Sequence, residues 1–216
     1  MRITQADRMR LVPMFVVLSV VALAASQPEA RAQALMEGKA KTDRTVSVEA
    51  VVAGSPDQVF RLWTTEDGVK QFFAPAARIE AREGGAYTMI FDPAHDPEGN
   101  SRGTRGARIL HLAPGKGLDF EWIPFVVENS PGMGGPPGVP AAERNARPLP
   151  TWVEVSFDPV EGDARQTRVR LAHYGFRKGG KWDESFAYFQ KAWAGVLSNL
   201  AKYCATQSVE KARITP

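Results

Sequence analysis

The chain has 216 residues, with 27 Lys and Arg, 24 Asp and Glu, and a single cysteine. Residues 1–32 hold four arginines and two acidic residues, so the remainder has 23 basic and 22 acidic residues and a net charge of +1. This balance leaves no basic stripe for nucleic-acid binding, and one cysteine excludes an internal disulfide. The remainder is the size of one ordinary domain with a substantial core.

The N-terminal segment has the pattern of a secretory signal peptide. Three arginines within the first ten residues precede an uncharged run of fifteen, LVPMFVVLSVVALAA, and alanines at A-x-A spacing follow around Ala32. A membrane-spanning helix takes about 20 apolar residues, so the run is short for the alternative, an uncleaved anchor. We therefore expect a signal peptide over 1–32, a polar leader over 33–44, Sec-type export (periplasmic or secreted), and no stable membrane insertion after cleavage.

The first elements predicted for the exported part are a strand and two short helices. The run TVSVEAVVA predicts a strand over 45–53. Ser55 is a favourable N-cap and Pro56 suits the first helical position, so a helix is predicted to begin there. Its apolar stripe includes Trp63, and TTEDGVKQFF adds a second short helical turn.

Six later runs have strand character, with apolar residues at alternate positions and turn residues between them. They are ARIEA, AYTMIF, TRGARILHL, LDFEWI, TWVEVSFDP and QTRVRLAHYGF. In the last of them His173 shares the inward face with Leu171, while Arg170 faces water. The segment 124–150 is rich in Pro and Gly and has no period, so it is predicted to be an unusually long loop insertion.

The longest helical pattern is KWDESFAYFQKAWAGVLSNLAKYC, in which large apolar residues recur at helical spacing. Cys204, near its end, is expected to be a small apolar residue rather than a reactive thiol, and 205–216 a C-terminal tail. The order of elements predicts an α+β fold. A curved antiparallel sheet is expected to grip the final helix, because no other element is long enough to cover the apolar face of the sheet.

These runs resemble a known family. SPDQVFRLWTTEDGVKQFF, EGGAYTMIF, RGARILHLAPGKGLDFEW, RVRLAHYGF and FQKAWAGVLSNLAKY are together similar to the START-like, or SRPBCC, superfamily. The closer resemblance is to its branch of heat-shock-chaperone ATPase activator homologues, and it covers roughly residues 45–204. It implies the helix-grip fold, in which the sheet wraps the last helix around a hydrophobic cavity. Members of the superfamily bind lipids, polyketides or aromatic molecules; some are enzymes, and others carry or sense a ligand. The export signal and the 124–150 insertion are departures from the family pattern.

The implied cavity needs apolar walls, and the inferred interior has an aromatic set that fits. Ligand pockets have volumes from roughly 300 Å³ upward. An empty void of that size lowers the stability of the fold by ~7 kcal/mol, at about 24 cal/mol per Å³. An apolar hollow should therefore collapse, take up water or hold a ligand, and the alternative is that these residues are simply a packed core. The predicted ligand-binding residues are Trp63, Phe72, Phe73, Phe91, Phe120, Trp122, Phe189 and Trp193, with His173 as the polar anchor.

His173 is also the one candidate for catalysis, as an acid or base with a pKa near neutrality. The alternative is a histidine hydrogen-bonded within the core. The sequence has no G-x-S-x-G, H-E-x-x-H or Cys/His zinc spacing, so no catalytic motif, metal or cofactor is predicted.

A second histidine, His95, lies in the run DPAHDPEGN beside Asp92, Asp96 and Glu98. Two prolines interrupt this run, and it lacks calcium-loop spacing. It is therefore predicted to be a solvated hairpin loop.

The function expected from these features is an exported helix-grip protein that binds a small hydrophobic or aromatic ligand in an internal cavity, as carrier or sensor. One alternative is a cyclase-, dehydratase- or hydrolase-like enzyme that uses the same cavity, with His173 as acid or base. A third is a chaperone-regulating interaction module, which requires that the chain is not exported.

Overall fold

The structure, a computed structural model, describes residues 44–100, 102–122, 151–179 and 181–214, without the side chains of 181 and 209–214. The predicted signal peptide, the leader up to residue 43 and the 124–150 insertion lie outside the described residues.

The described elements follow the predicted order of strand, two short helices, strands and a long helix. They are β1 (Arg44–Ala53), α1 (Pro56–Thr64), α2 (Glu66–Lys70), β2 (Ala76–Ile79), β3 (Tyr87–Ile90), β4 (Ile109–Ala113), β5 (Gly117–Trp122), β6 (Thr151–Val160), β7 (Asp163–Phe176) and α3 (Lys181–Ile214).

Five strands form one antiparallel sheet in the order β1-β7-β6-β5-β4, and β2 and β3 pair as a separate hairpin. Two isolated antiparallel bridges, Ala86 with Arg108 and Ile90 with Gly103, join the hairpin to the segment that leads into β4. The curved surface therefore continues from β4 into the hairpin without a regular ladder.

The strand predicted from TRGARILHL is only partly regular, because β4 begins at Ile109. Gly103 lies so close to β3 that a Cβ on it would be 2.3 Å from the carbonyl oxygen of Met89. Gly106 has a φ of +89°, which side-chain-bearing residues rarely adopt. Gly103 thus permits a close approach to β3, and the turn at Gly106 interrupts the predicted strand before Ile109.

Strand β7 confirms the predicted division between an inner and an outer face. Leu171 and His173 are buried, and His173 lies opposite Val153 of β6 and Val46 of β1. On the outer face Arg170 donates from Nε to Oε2 of Glu49 at 3.0 Å. Alternation along one strand thus places the histidine among apolar side chains and the arginine in solvent.

The two short helices begin where the sequence predicts. The backbone N–H of Ser55 donates to Oε1 of Gln58 at 2.9 Å, which satisfies a donor at the start of α1. At α2 the bond runs the other way, because the side-chain oxygen of Thr65 accepts from the backbone N–H of Gly68 at 3.1 Å and caps the helix. Together the helices bring their aromatic side chains under the inner face of the sheet.

Helix α3 crosses the inner face and lies closest to β1 and β7. Its buried side is apolar and includes Trp193, Leu197 and Leu200. The helix continues to Ile214, so the predicted tail is helical over 205–214. The residues that follow Cys204 are mostly good helix formers without an apolar stripe. The spacing of apolar residues therefore predicted a helix that is too short. No helix in the described ranges is both long and apolar enough to cross a membrane.

Candidate functional site: an aromatic cluster between sheet and helix

The predicted aromatic residues meet in one cluster between the sheet and α3. Its centre is Phe73, whose ring centroid lies 5.7 Å from Trp63, 5.7 Å from Trp122 and 5.5 Å from Trp193. The rings of Phe73 and Trp122 are stacked, with 16° between their planes. Phe189 joins through Trp193 at 6.1 Å. Residues from α1, β5, α3 and the turn after α2 therefore converge on a single ring.

The other predicted members pack on this centre from two sides. Phe72 lies 5.1 Å from Trp63, and Phe120 lies 5.8 Å from Trp122. Phe91 reaches Phe73 at 6.3 Å. The structure thus brings all eight aromatic residues into one contiguous set.

Burial is not uniform across the cluster. Six of the eight predicted aromatic residues are almost completely inaccessible, whereas Phe73 and Phe91 are only partly buried. Ring pairs at these separations are worth about 0.5–1.5 kcal/mol each beyond their buried area. A ligand that enters here must separate rings that now touch, and Phe73 is the central ring with the least cover.

Phe73 also faces a groove at the surface, between the turn after α2 and the C-terminal half of α3. The groove has a volume of about 420 Å³. Its walls are Lys70, Gln71, Phe72, Phe73, Ala74, Pro75, Asn199, Lys202, Tyr203 and Thr206. The cluster therefore borders an open surface feature through Phe72 and Phe73.

His173 lies at the inner end of the cluster, fully buried on β7. Nε1 of Trp193 donates to its Nδ1 at 3.0 Å, and the rings of Phe176 and Phe189 lie 4.4 Å and 5.0 Å away. Burial holds the pKa of His173 well below its ordinary value of 6.5, so the imidazole is neutral. Because an indole N–H can only donate, Nδ1 is the acceptor nitrogen, and the proton is on Nε2.

That proton has no hydrogen-bond acceptor within the described residues, since Nε2 is buried without a partner there. Nε1 of Trp63 is in the same situation. Buried polar groups are satisfied in the large majority of cases. Two buried N–H donors without an acceptor at one aromatic cluster are therefore unusual.

Sequence reasoning did not identify two residues that shape this site. The hydroxyl of Tyr87 donates to the carbonyl oxygen of Trp63 at 2.9 Å, and the Tyr87 ring lies 4.4 Å from Phe120. Phe176, at the end of β7, packs on His173. Both look like ordinary strand residues in sequence, and only pairing between distant segments shows their role.

The acidic run around His95 is a surface loop, in line with its prediction, but Asp96 is buried and accepts from the backbone N–H groups of Asn100 and Arg102. Nδ1 of His95 lies 2.9 Å from Asp92, and Arg102 also pairs with Asp92. These two partners, His95 first, lower the pKa of the Asp92 carboxyl. Glu98 forms an ion pair with Arg78 at 2.6 Å. His95 and Arg102 thus occupy Asp92, and Arg78 of β2 occupies Glu98.

The remaining nucleophilic and titratable candidates are structural. Cys204 is buried among apolar residues, and burial raises the pKa of its thiol to about 11. His111 is exposed and lies 2.8 Å from Glu83. In the part of the chain that the structure describes, no three His, Cys, Asp or Glu side chains converge as metal ligands would.

An antiparallel sheet wrapped around a long C-terminal helix, with two short helices after the first strand, defines the helix-grip fold of the START-like, or SRPBCC, superfamily. Within it, the family described as "Activator of Hsp90 ATPase homolog 1-like protein" matches residues 53–205. The match covers most of the chain, which therefore belongs to this family.

Solved structures share the fold at low sequence identity. A protein from Mesorhizobium loti and the Aha1 dimer from Colwellia psychrerythraea are each 16% identical, with a TM-score of 0.51, over 74% of this chain and 96% of theirs. DynU16, a protein in the dynemicin biosynthetic locus, is 18% identical with a TM-score of 0.51, over 76% of this chain and 48% of that one. No curated protein matches the sequence.

Proposed function

We propose that this protein binds a small apolar or aromatic molecule in the aromatic cluster, as a carrier or sensor that acts after export. The helix-grip fold, whose members are known for small hydrophobic ligands, supports this proposal. The observation that carries it is the position of Phe73. Its ring contacts the buried indoles of Trp63, Trp122 and Trp193 and also lines the surface groove.

Because of this position, a ligand could pass from the groove into the cluster at a small cost in free energy. Movement of the Phe73 side chain alone would connect the groove with the centre of the cluster. Each ring contact that is lost costs about 0.5–1.5 kcal/mol, and an aromatic ligand restores contacts of the same kind. An aliphatic or aromatic guest also removes apolar surface from water, at about 25 cal/mol per Å².

Binding is tested with N-phenyl-1-naphthylamine, a neutral probe whose fluorescence rises in apolar surroundings. We expect a saturable rise with the unmodified protein. Phe73→Ala is expected to speed probe release at least tenfold, because opening the route in the unmodified protein breaks ring contacts worth about 0.5–1.5 kcal/mol each and about 1.4 kcal/mol of barrier is a factor of ten. Stopped-flow fluorescence measures the rate.

The matched control is Phe60→Ala. Phe60 is also a partly buried phenylalanine with an edge-on ring partner, Phe157 at 5.8 Å, but it does not line the groove. Release should be unchanged in this variant. Equal acceleration by both variants would contradict the Phe73 route. A protein without saturable probe binding, which also carries no apolar mass in native mass spectrometry when purified from its own host, would contradict the proposed function.

Export is tested separately by N-terminal sequencing of the protein from that host. The arrangement of arginines, apolar run and alanines motivates the proposal. We expect a new N-terminus close to residue 33. An intact Met1 in a soluble cytoplasmic fraction would show that the chain is not exported.

A second candidate function is regulation of a chaperone ATPase, which the family description and the solved Aha1 dimer suggest. It requires that the chain meets a cytoplasmic ATP-driven chaperone. Stimulation of Hsp90 ATPase activity by the purified chain, together with an intact Met1, would favour this candidate over the exported carrier.

The enzyme alternative receives less support from the site. A general base at Nε2 of His173 would need a free lone pair there, but the Trp193 bond assigns the proton to Nε2. A general acid would need a charged imidazole, and burial lowers the pKa of His173. The neutral ring is better suited to donate a hydrogen bond than to move a proton.

A further inference from the structure

We infer that the surface groove beside Phe73 is a docking site for an acidic segment of a partner protein. An apolar side chain of that segment packs on the apolar wall of the groove, and the carboxylates next to it pair with Lys70 and Lys202. The docking is independent of the proposed function, and only its effect on ligand release rests on that function.

The first step is the charge of the groove. Lys70 ends α2 on one wall and Lys202 lies on α3 on the other, and none of the remaining wall residues carries a charge. Lys70 pairs at 3.2 Å with Asp67, whose side chain is 94% exposed, so this ion pair is weak. Lys202 is exposed and has no ion-pair partner among the residues that the structure describes. The groove is therefore cationic and favours an anionic occupant.

The second step is the apolar surface between the turn and the helix. Four consecutive apolar residues, 72–75, line the groove, and Phe73 among them is only partly buried. A simple anion such as phosphate would leave this surface in contact with water. The occupant has to combine negative charge with an apolar side chain, because burial of apolar surface supplies the affinity that exposed ion pairs lack.

The third step is the length of the groove. The residues of α3 that line it recur at helical spacing, and they are Asn199, Lys202, Tyr203 and Thr206. From Asn199 to Thr206 the helix rises about 10.5 Å, which equals about three residues of extended chain. Consecutive side chains of an extended chain point to opposite sides. A segment that turns one apolar side chain inward thus directs its acidic neighbours toward the exposed lysines.

The fourth step concerns hydrogen bonds to the backbone of such a segment. Nε2 of Gln71 donates to the carbonyl oxygen of Asp67 at 3.2 Å, and Nδ2 of Asn199 donates to that of Phe72 at 3.5 Å. These bonds fix the two amides on opposite walls. Within the described ranges their side-chain oxygens receive no hydrogen bond, so both can accept from backbone N–H groups of the segment.

A cationic groove would also attract an anionic membrane surface, but its shape favours a peptide. Proteins that bind to membrane surfaces insert apolar side chains into the lipid. Among the described residues, the one large apolar side chain that is exposed is Val51, which lies on β1 and not at the groove. A concave site of about 420 Å³ accommodates a side chain and its neighbours rather than a lipid surface.

The experiment is an NMR titration of the ¹⁵N-labelled protein with the acetylated and amidated peptide Glu-Glu-Leu-Glu-Glu in about 0.1 M salt, where charges more than about 10 Å apart are screened. We expect saturable shifts of the backbone amides of 71–74 and 199–206. The peptide with serine in place of leucine should bind about fivefold more weakly, because it lacks the apolar side chain. Lys-Lys-Leu-Lys-Lys should produce no saturable shifts there.

Charge reversal tests the two lysines. Lys70→Glu and Lys202→Glu should each weaken binding of Glu-Glu-Leu-Glu-Glu about fivefold, since each removes an exposed ion pair with the peptide. The matched control is Lys191→Glu, which makes the same change of charge at an exposed position of α3, about 16 Å along the helix from Lys202 and outside the groove. This variant should bind the peptide as the unmodified protein does.

A peptide in the groove also covers Phe73, whose movement opens the proposed route to the aromatic cluster. Saturating peptide should therefore slow the release of N-phenyl-1-naphthylamine, with half of the effect at the Kd measured by NMR. In Lys202→Glu this midpoint should move to a higher peptide concentration. Unchanged release under saturating peptide would show that the bound segment does not contact Phe73.

The outcomes separate the inference from the proposed function. If the probe binds and the peptide gives no saturable shifts at the groove, or binds equally to Lys202→Glu and Lys191→Glu, the inference is wrong and the proposed function stands. If the peptide binds at the groove and the probe does not bind, the docking site stands and the proposed function fails. Sedimentation with phosphatidylglycerol vesicles that depends on Lys70 and Lys202, without peptide binding, would assign the groove to a membrane surface and overturn the inference.

Discussion

The buried neutral state of His173 predicts a specific dependence of stability on pH. Burial lowers the pKa of this imidazole in the folded protein well below 6.5, whereas the unfolded chain titrates near its ordinary value. Below pH 6.5 the unfolded state therefore binds a proton that the folded state does not. The free energy of unfolding should fall as the pH falls through this window, and should be independent of His173 above it.

The magnitude follows from the linkage relation. One extra proton on the unfolded chain lowers the free energy of unfolding by up to about 1.4 kcal/mol for each pH unit, until the lowered pKa of the folded state is reached. Among the residues that the structure describes, the ring neighbours of His173 are Phe176, Phe189 and Trp193, and none of them is titratable. The histidine should therefore titrate independently of its packing partners.

The assay is urea denaturation of the unmodified protein and of His173→Asn over a pH series on both sides of 6.5. Carboxylates such as Asp92 contribute to both proteins, so the difference between the two curves isolates the imidazole. The variant should be less stable at neutral pH because a buried ring is truncated. The difference should shrink as the solution becomes acidic. Parallel curves throughout the acidic range would refute a buried, neutral His173.

Three further predictions concern packing. Gly103→Ala is expected to lower the free energy of unfolding by about 2 kcal/mol, because the new Cβ would lie 2.3 Å from the carbonyl oxygen of Met89; an unchanged urea midpoint would contradict the close approach. Gly195→Ala should raise the stability by roughly 0.8 kcal/mol, since the methyl group meets nothing within 4 Å on a helix, and a lower midpoint would argue against this placement. Cys204 should react with a disulfide reagent far more slowly in the folded protein than in urea, because burial raises the pKa of its thiol to about 11; equal rates would show an accessible thiol.

Much of the fold was predictable because its signals are local. Alternation in TWVEVSFDP and QTRVRLAHYGF predicts β6 and β7 and the face on which His173 lies. Ser55 and Pro56 predict the start of α1, because capping chemistry depends on neighbouring residues only. The order of elements then leaves one helix to cover the sheet. Similarity to the family adds the helix-grip architecture.

Where several segments meet, local signals failed. The sequence predicts a regular strand from Thr104 onward, but the chain approaches β3 closely at Gly103 and turns at Gly106, so the strand begins only at Ile109. The end of the long helix is a different case, because α3 continues to Ile214 on helix propensity, a local signal that the periodicity of apolar residues does not capture.

The candidate site was likewise predictable from the sequence only in part. The sequence by itself determined that aromatic residues within helices and strands, such as Trp63, Trp122 and Trp193, point inward, because the side-chain period of a strand or helix is written into the chain. Only the tertiary structure decided that Phe73 is the ring on which they converge, and that Trp193 fixes the proton of His173 on Nε2. Those two facts depend on residues from α3, β7 and the turn after α2. Their contact comes from packing of the whole sheet around the helix, which no local pattern encodes.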